Sequence, residues 1–165
     1  MSGVGAELMA RLVDRYARAL VLYARQWCET PEDVVQEAFL KLVRQQPVPD
    51  SPVAWLFAAV RHGAISAARA AGRRRRREAR VAWRGEPWFE VPDGQRLDAA
   101  AATAALQELP LEQRETIVAR LWGGLSFEEI AQLTGCSVST AYRRYQAGLE
   151  QLRKKLGVRC LESEE

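Results

Sequence analysis

Apolar residues recur along most of this chain at intervals of three and four, the spacing of one helix face; no stretch alternates as a half-buried strand would. Leu8, Leu12, Tyr16, Leu20, Tyr23 and Trp27 form the first stripe. A second helix is predicted in TPEDVVQEAFLKLVRQ. There Thr30 can cap, Pro31 suits the first helical position, and Glu32 and Asp33 favour the positive end of the helix dipole. Ser51 and Pro52 repeat that opening before VAWLFAAVRHGAISAARAA. These three helices predict a bundle closed around Tyr16, Leu20, Val35, Phe39, Leu42, Trp55, Leu56 and Val60.

Proline, glycine and charge break the pattern from Gly85 to Asp98, which predicts a linker. Trp83, Trp88 and Phe89 are costly to leave in water and are expected to dock on some surface. Helical spacing resumes at Ala99, runs to Glu108, and continues from Pro110 to Trp122, where Gly123 and Gly124 stop it. Ser126 with Glu129 predicts a capping box for FEEIAQLT, and Gly135 fits the left-handed cap that ends it. Ser137 caps a last helix that runs to Gly157, with Lys154 and Lys155 near its negative end. The expected fold is all-α: two small helical domains, 1–82 and 100–158, a flexible linker 83–99, and an acidic tail 159–165.

At 165 residues and 48% hydrophobic content the chain can bury such cores. It lacks an uninterrupted apolar stretch of membrane-spanning length and a charged-then-apolar leader, so a cytoplasmic protein without a membrane partner is expected. Cys28, Cys136 and Cys160 are odd in number and lack metal-ligand spacing, which suggests reduced thiols and no zinc site. Net charge is only +3, but its distribution is uneven. Eight arginines (69, 73 to 77, 80 and 84) lie between Arg69 and Arg84 against a single acid, Glu78. A polyanion could bind there, although a solvated charged face would carry the same run.

In SFEEIAQLTGCSVSTAYRRYQAGLEQL, the residues Phe127, Ile130, Ala131, Val138, Ala141 and Leu149 are expected to pack two helices across the turn that Gly135 permits. Ser139, Thr140, Tyr142, Arg143, Arg144 and Gln146 are then left facing outward, beside the capping Ser137. Hydroxyls, arginines and a glutamine are groups that read base edges and grip phosphates in a major groove. A helical hairpin with a basic solvent face is the plainer reading; the turn glycine, the two caps and the polar face together favour DNA. A lone module of this kind buries about 600–1,000 Å² on DNA, too little for tight specific binding, so a second surface or a larger partner is expected from the front half.

Three stretches, EDVVQEAFLKLVRQ, then WLFAAVRHGAISAARAAGRRRRRE, then LPLEQRETIVARLWGGLSFEEIAQLTGCSVSTAYRRYQAGLEQLRKKL, resemble in this order the extracytoplasmic-function sigma factors of bacterial RNA polymerase. The likeness covers residues 8 to 80 and 100 to 156. It implies a region 2 and a region 4 without a region 3 domain between them. It also implies a role in promoter recognition and transcription initiation. The polar face of the second helix (Asp33, Gln36, Glu37, Lys41 and Arg44) would bind the β′ clamp helices of core polymerase. Arg61, His62, Ser66 and Arg69 would meet the −10 element, with Arg73, Arg74, Arg75, Arg76 and Arg77 extending as a phosphate clamp. His62 stands where asparagine is usual and Ser66 where aspartate is usual, which leaves the preferred bases open. Ser137, Ser139, Thr140, Tyr142, Arg143, Arg144 and Gln146 would meet the −35 element. The partners the resemblance implies are double-stranded and locally melted promoter DNA, core polymerase including its β flap, and an anti-sigma factor.

Two other readings compete with it. A helix-turn-helix regulator binding a palindrome as a dimer would not need polymerase. An enzyme acting on nucleic acid would need a nucleophile with its base or a carboxylate metal cluster, and no such spacing is found, so no catalytic residue and no cofactor are expected. His62, the single histidine, has no ligand or nucleophile near it in the sequence.

Overall fold

The computed structural model describes residues 4–77 and 96–157. Seven helices account for them: α1 (Ala6–Ala24), α2 (Pro31–Arg44), α3 (Pro52–Arg77), α4 (Arg96–Gln107), α5 (Leu111–Leu121), α6 (Phe127–Thr134) and α7 (Val138–Leu156), with no strand among the described residues. The aromatic trio Trp83, Trp88 and Phe89, residues 83–95 of the expected linker and the tail lie outside the described residues, while the last four linker positions, 96–99, already belong to α4.

The first three helices pack against one another as the apolar stripes require. Leu20, Val35, Leu42, Leu56 and Val60 are buried, and Tyr16, Phe39 and Trp55 lean on them half-buried. Pro31 opens α2 with Glu32 and Asp33 in its first turn, but the Thr30 side chain makes no capping hydrogen bond, so the cap expected there is absent. Proline's preset φ and the two acids against the helix dipole take its place. Ser51 does cap α3: its Oγ accepts from the Ala54 N–H at 3.4 Å.

In the second half, α5, α6 and α7 enclose Ile117, Val118, Leu125, Ile130 and Ala141, while α4 rests on α7. The capping box is complete: the Glu129 N–H donates to Ser126 Oγ at 3.1 Å, and the Ser126 N–H donates to Glu129 Oε2 at 2.9 Å. Gly135 ends α6 at φ 69°, in the left-handed region that a side chain resists, and so turns the chain sharply into α7. Ser137 Oγ accepts from the Thr140 N–H at 3.2 Å, which fixes the start of α7. Val138 was expected in this core but is 43% exposed; as the first residue of α7 it points away from α6.

The two halves are also in contact. Helix α1 lies on α5, α3 lies on α6, and the buried apolar residues of both halves join in one cluster. Phe57 explains part of this. It is fully buried although it falls off the bundle stripe, because the neighbouring face of α3 is covered by the second half.

Candidate nucleic-acid and partner interfaces

Helix α2 turns Val35, Ala38 and Leu42 inward, and at 3.6 residues per turn the opposite side must be polar. Asp33, Gln36, Glu37, Lys41 and Arg44 all stand exposed there, with Lys41 Nζ 3.6 Å from Glu37 Oε1. Sequence reasoning missed two residues of this face. Leu40 and Val43 are 46% and 48% exposed and continue the line from Gln36 at helical spacing. Apolar side chains left in water beside charged ones mark a face suited to a protein partner, and the signal was present in the i, i+4, i+7 spacing of 36, 40 and 43.

Helix α3 is longer than the bundle needs. His62, Ser66, Arg69, Arg73 and Arg76 recur at helical spacing and are exposed, as are Arg74 and Arg75. Arg75 is paired with Glu29 at the end of the α1–α2 connection. The side chain of Arg77 lies outside the described residues. Arg61 departs from the expected surface. Register places it a turn-fraction away from the His62–Ser66–Arg69 line, and its side chain is only 26% exposed. Its Nε donates to Glu115 Oε1 of α5 at 2.7 Å, and its guanidinium also lies 5.8 Å from the Trp27 ring.

Glu115 gave no signal in the sequence. It is 4% exposed, and the same Oε1 accepts from Tyr23 Oη of α1 at 2.6 Å. Burial, and then the Glu115 charge beside it, hold the Tyr23 phenol well above the usual tyrosine range. Tyr23 itself is gripped edge-on by Trp27 at 5.0 Å and Phe57 at 4.9 Å between ring centres.

On α7 the residues that cap the helix and those expected to read DNA are continuous. Ser137, Ser139 and Thr140 form a hydroxyl cluster at the helix start, with Ser137 Oγ 3.1 Å from Ser139 Oγ and 2.8 Å from Thr140 Oγ1. Arg143 is exposed and reaches Thr140 Oγ1 at 3.4 Å. Tyr142 is 49% exposed, with its ring edge-on to Phe127 at 5.3 Å, and its hydroxyl accepts from Gln146 Nε2 at 2.8 Å. Arg144 differs from the rest. It bends back to α5, with Nη2 3.1 Å from Glu112 Oε2 and a side chain 25% exposed. Ser137, Ser139, Thr140, Tyr142, Arg143 and Gln146 thus share one end of α7, while Arg144 is tied to its flank.

Cys28 and Cys136 are free thiols. Among the described residues no helix is long and apolar enough to cross a membrane, and no three His, Cys, Asp or Glu side chains gather as metal ligands.

Comparison with known proteins divides the chain at the same place. Residues 11–74 match the family model of Sigma-70 region 2, and residues 99–152 match that of Sigma-70, region 4. Among solved structures, the chain is similar to the sigma factor RpoE in complex with the anti-sigma factor NepR from Bartonella quintana. That likeness has a TM-score of 0.73 at 24% identity, covering 93% of this chain and 99% of that one. It is also similar to CnrH in complex with the cytosolic domain of CnrY, with a TM-score of 0.57 at 24% identity, covering 93% of this chain and 90% of that one. No curated protein matches the chain.

Proposed function

Because the chain belongs to the sigma-70 family, carrying its region 2 and region 4 in order, we propose that α2, α3 and α7 divide the work of a sigma factor of the extracytoplasmic-function type. Such a factor gives core RNA polymerase its promoter specificity and forms no bonds itself; the polymerase does the chemistry. In this reading residues 1–82 and 100–158 are the two working domains, and the protein acts in the cytoplasm.

Asp33, Gln36, Glu37, Lys41 and Arg44, with Leu40 and Val43 among them, dock on the β′ clamp helices. His62, Ser66 and Arg69 meet the −10 element, where holding unstacked bases shifts the duplex toward its melted form. Arg73 to Arg76 add phosphate contacts that release counterions, a term blind to sequence and sensitive to salt. The start of α7 enters the major groove of the −35 element, with Ser139, Thr140, Arg143 and Gln146 toward base edges and phosphates. Region 4 also meets the β flap. An anti-sigma factor is a further partner, by likeness to the RpoE complex.

The observation that supports this best is that the α2 face, the α3 arginine extension and the capped start of α7 are all open to solvent on one chain. Run-off transcription with purified core polymerase tests it: promoter-dependent initiation is expected on genomic fragments. No initiation by the folded protein would sink the proposal. A single footprint, unchanged by polymerase, would point instead to a dimeric regulator.

A further inference from the structure

Val138 stands 43% exposed in the first turn of α7, and the fold makes no use of its side chain. The turn before it closes without it. Gly135 supplies the left-handed residue, Leu133 and Cys136 lie against the core, and Ser137 caps the helix. Nor does the start of a helix ask for valine. A β-branched residue is a mediocre helix former, and the first turn favours proline and the acids, of which α7 has none there.

The neighbours of Val138 give it a setting. At 3.6 residues per turn, Val138, Tyr142 and Gln146 form one row along the exposed side of α7, and Ser139 and Arg143 form the row beside it. The polar groups of these rows are engaged with one another. Ser137 Oγ lies 3.1 Å from Ser139 Oγ and 2.8 Å from Thr140 Oγ1, and Arg143 reaches Thr140 Oγ1 at 3.4 Å. The Tyr142 hydroxyl accepts from Gln146 Nε2 at 2.8 Å, and its ring is set edge-on to Phe127. Val138 therefore brings methyl groups to the open end of a surface otherwise made of hydroxyls, an aromatic ring, an amide and a cation. A branched side chain keeps one strongly preferred rotamer in a helix, so these methyls are in place before any ligand arrives.

Few ligands suit such a group. In a major groove the edges of guanine, cytosine and adenine offer hydrogen-bond donors and acceptors, whereas thymine adds a C5 methyl. A valine set against a donor or acceptor strips its water and returns no hydrogen bond. Set against the thymine methyl, it takes apolar surface on both partners out of water. We infer that Val138 is a specificity-determining residue that selects thymine at one position of the −35 element by packing on its C5 methyl. The inference rests on the proposed entry of α7 into the major groove, and adds to it a base preference that the polar residues do not supply.

The probes for the test are duplexes enriched from a randomised library by the full-length chain assembled with core polymerase. Each thymine of the protected upstream element is then replaced in turn by deoxyuracil, which pairs as thymine does and lacks the C5 methyl. At one position the affinity of the native assembly is expected to fall about fourfold, the worth of one methyl group taken out of water. With Val138→Ala the two duplexes are expected to bind alike at that position, while Ser139→Ala, on the polar row, keeps the difference between them. Should Val138→Ala fail to fold, Val138→Thr, of nearly the same shape, stands in for it: a smaller difference supports the inference and an unchanged one overturns it. The inference also falls if no thymine shows the effect, if the difference survives in Val138→Ala, or if Ser139→Ala abolishes it equally. In each of those cases the enriched duplexes leave the sigma-factor reading standing. Enrichment of no duplex at all overturns both.

Discussion

Helices α3 and α7 both bring arginines to the surface, and they differ in what restrains them. On α3 the exposed run Arg73–Arg76 extends beyond the bundle, while Arg61, one face round, is held by Glu115 in a buried setting. On α7 Arg143 stands exposed and reaches Thr140 of the hydroxyl cluster, while Arg144, one residue on, leans on the exposed acid Glu112. The acids of both pairs belong to α5, three residues apart, so a single helix disciplines an arginine from each long helix. The settings decide the energetics. An exposed pair such as Glu112–Arg144 contributes about 0–1 kcal/mol. In the Arg61–Glu115 pair it is the acid that is buried, so removing Arg61 costs about 3–5 kcal/mol, because the Glu115 carboxylate is left out of water without its charged partner. The same chemistry therefore tunes a surface on α7 and joins two bodies at α3.

The largest effect should come from the exposed run. Changing Arg73 to Arg76 together to alanine is expected to lower non-specific DNA affinity on the order of 100-fold at low salt. The same change should flatten the slope of log affinity against log salt by about three, which a polarisation titration over salt reads directly. An unchanged slope would put these arginines on a par with the restrained ones. On α7 the contrast between neighbours is the sharper test. Arg143→Ala is expected to cost about 1–3 kcal/mol in binding to duplex carrying the upstream element, and Arg144→Ala well under half of that. Equal losses would mean that the Glu112 pair opens freely on DNA.

The buried pair should also give a pH signature through its third member. The Tyr23 phenol is raised in the folded chain, so the folded form keeps its proton where the unfolded form gives it up. Stability from this group is whole below about pH 10, the unfolded value, and falls as pH rises through the folded one, by at most about 1.4 kcal/mol per pH unit. Denaturation followed from pH 9 upward should show the loss, and Tyr23→Phe should remove it; a variant with the native alkaline profile would dissociate Tyr23 from the effect. The smallest expected change lies away from either arginine. Ser126→Ala deletes half of the capping box and is expected to cost about 1 kcal/mol, or a fall in Tm of about 2–4 °C. A loss well above that would mean that Ser126 also supports the contact between the halves through Glu129.

Much of this was legible in the sequence because it is local. The stripe in α1, the Pro31 start, the Ser126–Glu129 box and the turn at Gly135 each rest on residues within one or two turns of one another. The exposed face of α2 follows from the same arithmetic once Val35 and Leu42 are placed inside. What was not legible is long-range. Arg61 and Glu115 are 54 residues apart, and no period connects them. Arg61 read as one more arginine of a DNA-facing helix, and Glu115 carried no signal at all. Even at short range the residue type sometimes misleads: Thr30 is suited to capping yet does not cap, and Val138 is apolar yet points to solvent.

Glu129 has one use more than a helix cap requires. Its Oε2 satisfies the start of α6, and its Oε1 receives Ser51 from the other half. Losing Ser51 takes away the second bond and spares the first, so parting the halves need not unravel the turn module. The DNA-reading end would then arrive at a gene already folded, and recognition there would not have to wait for its own helices to form.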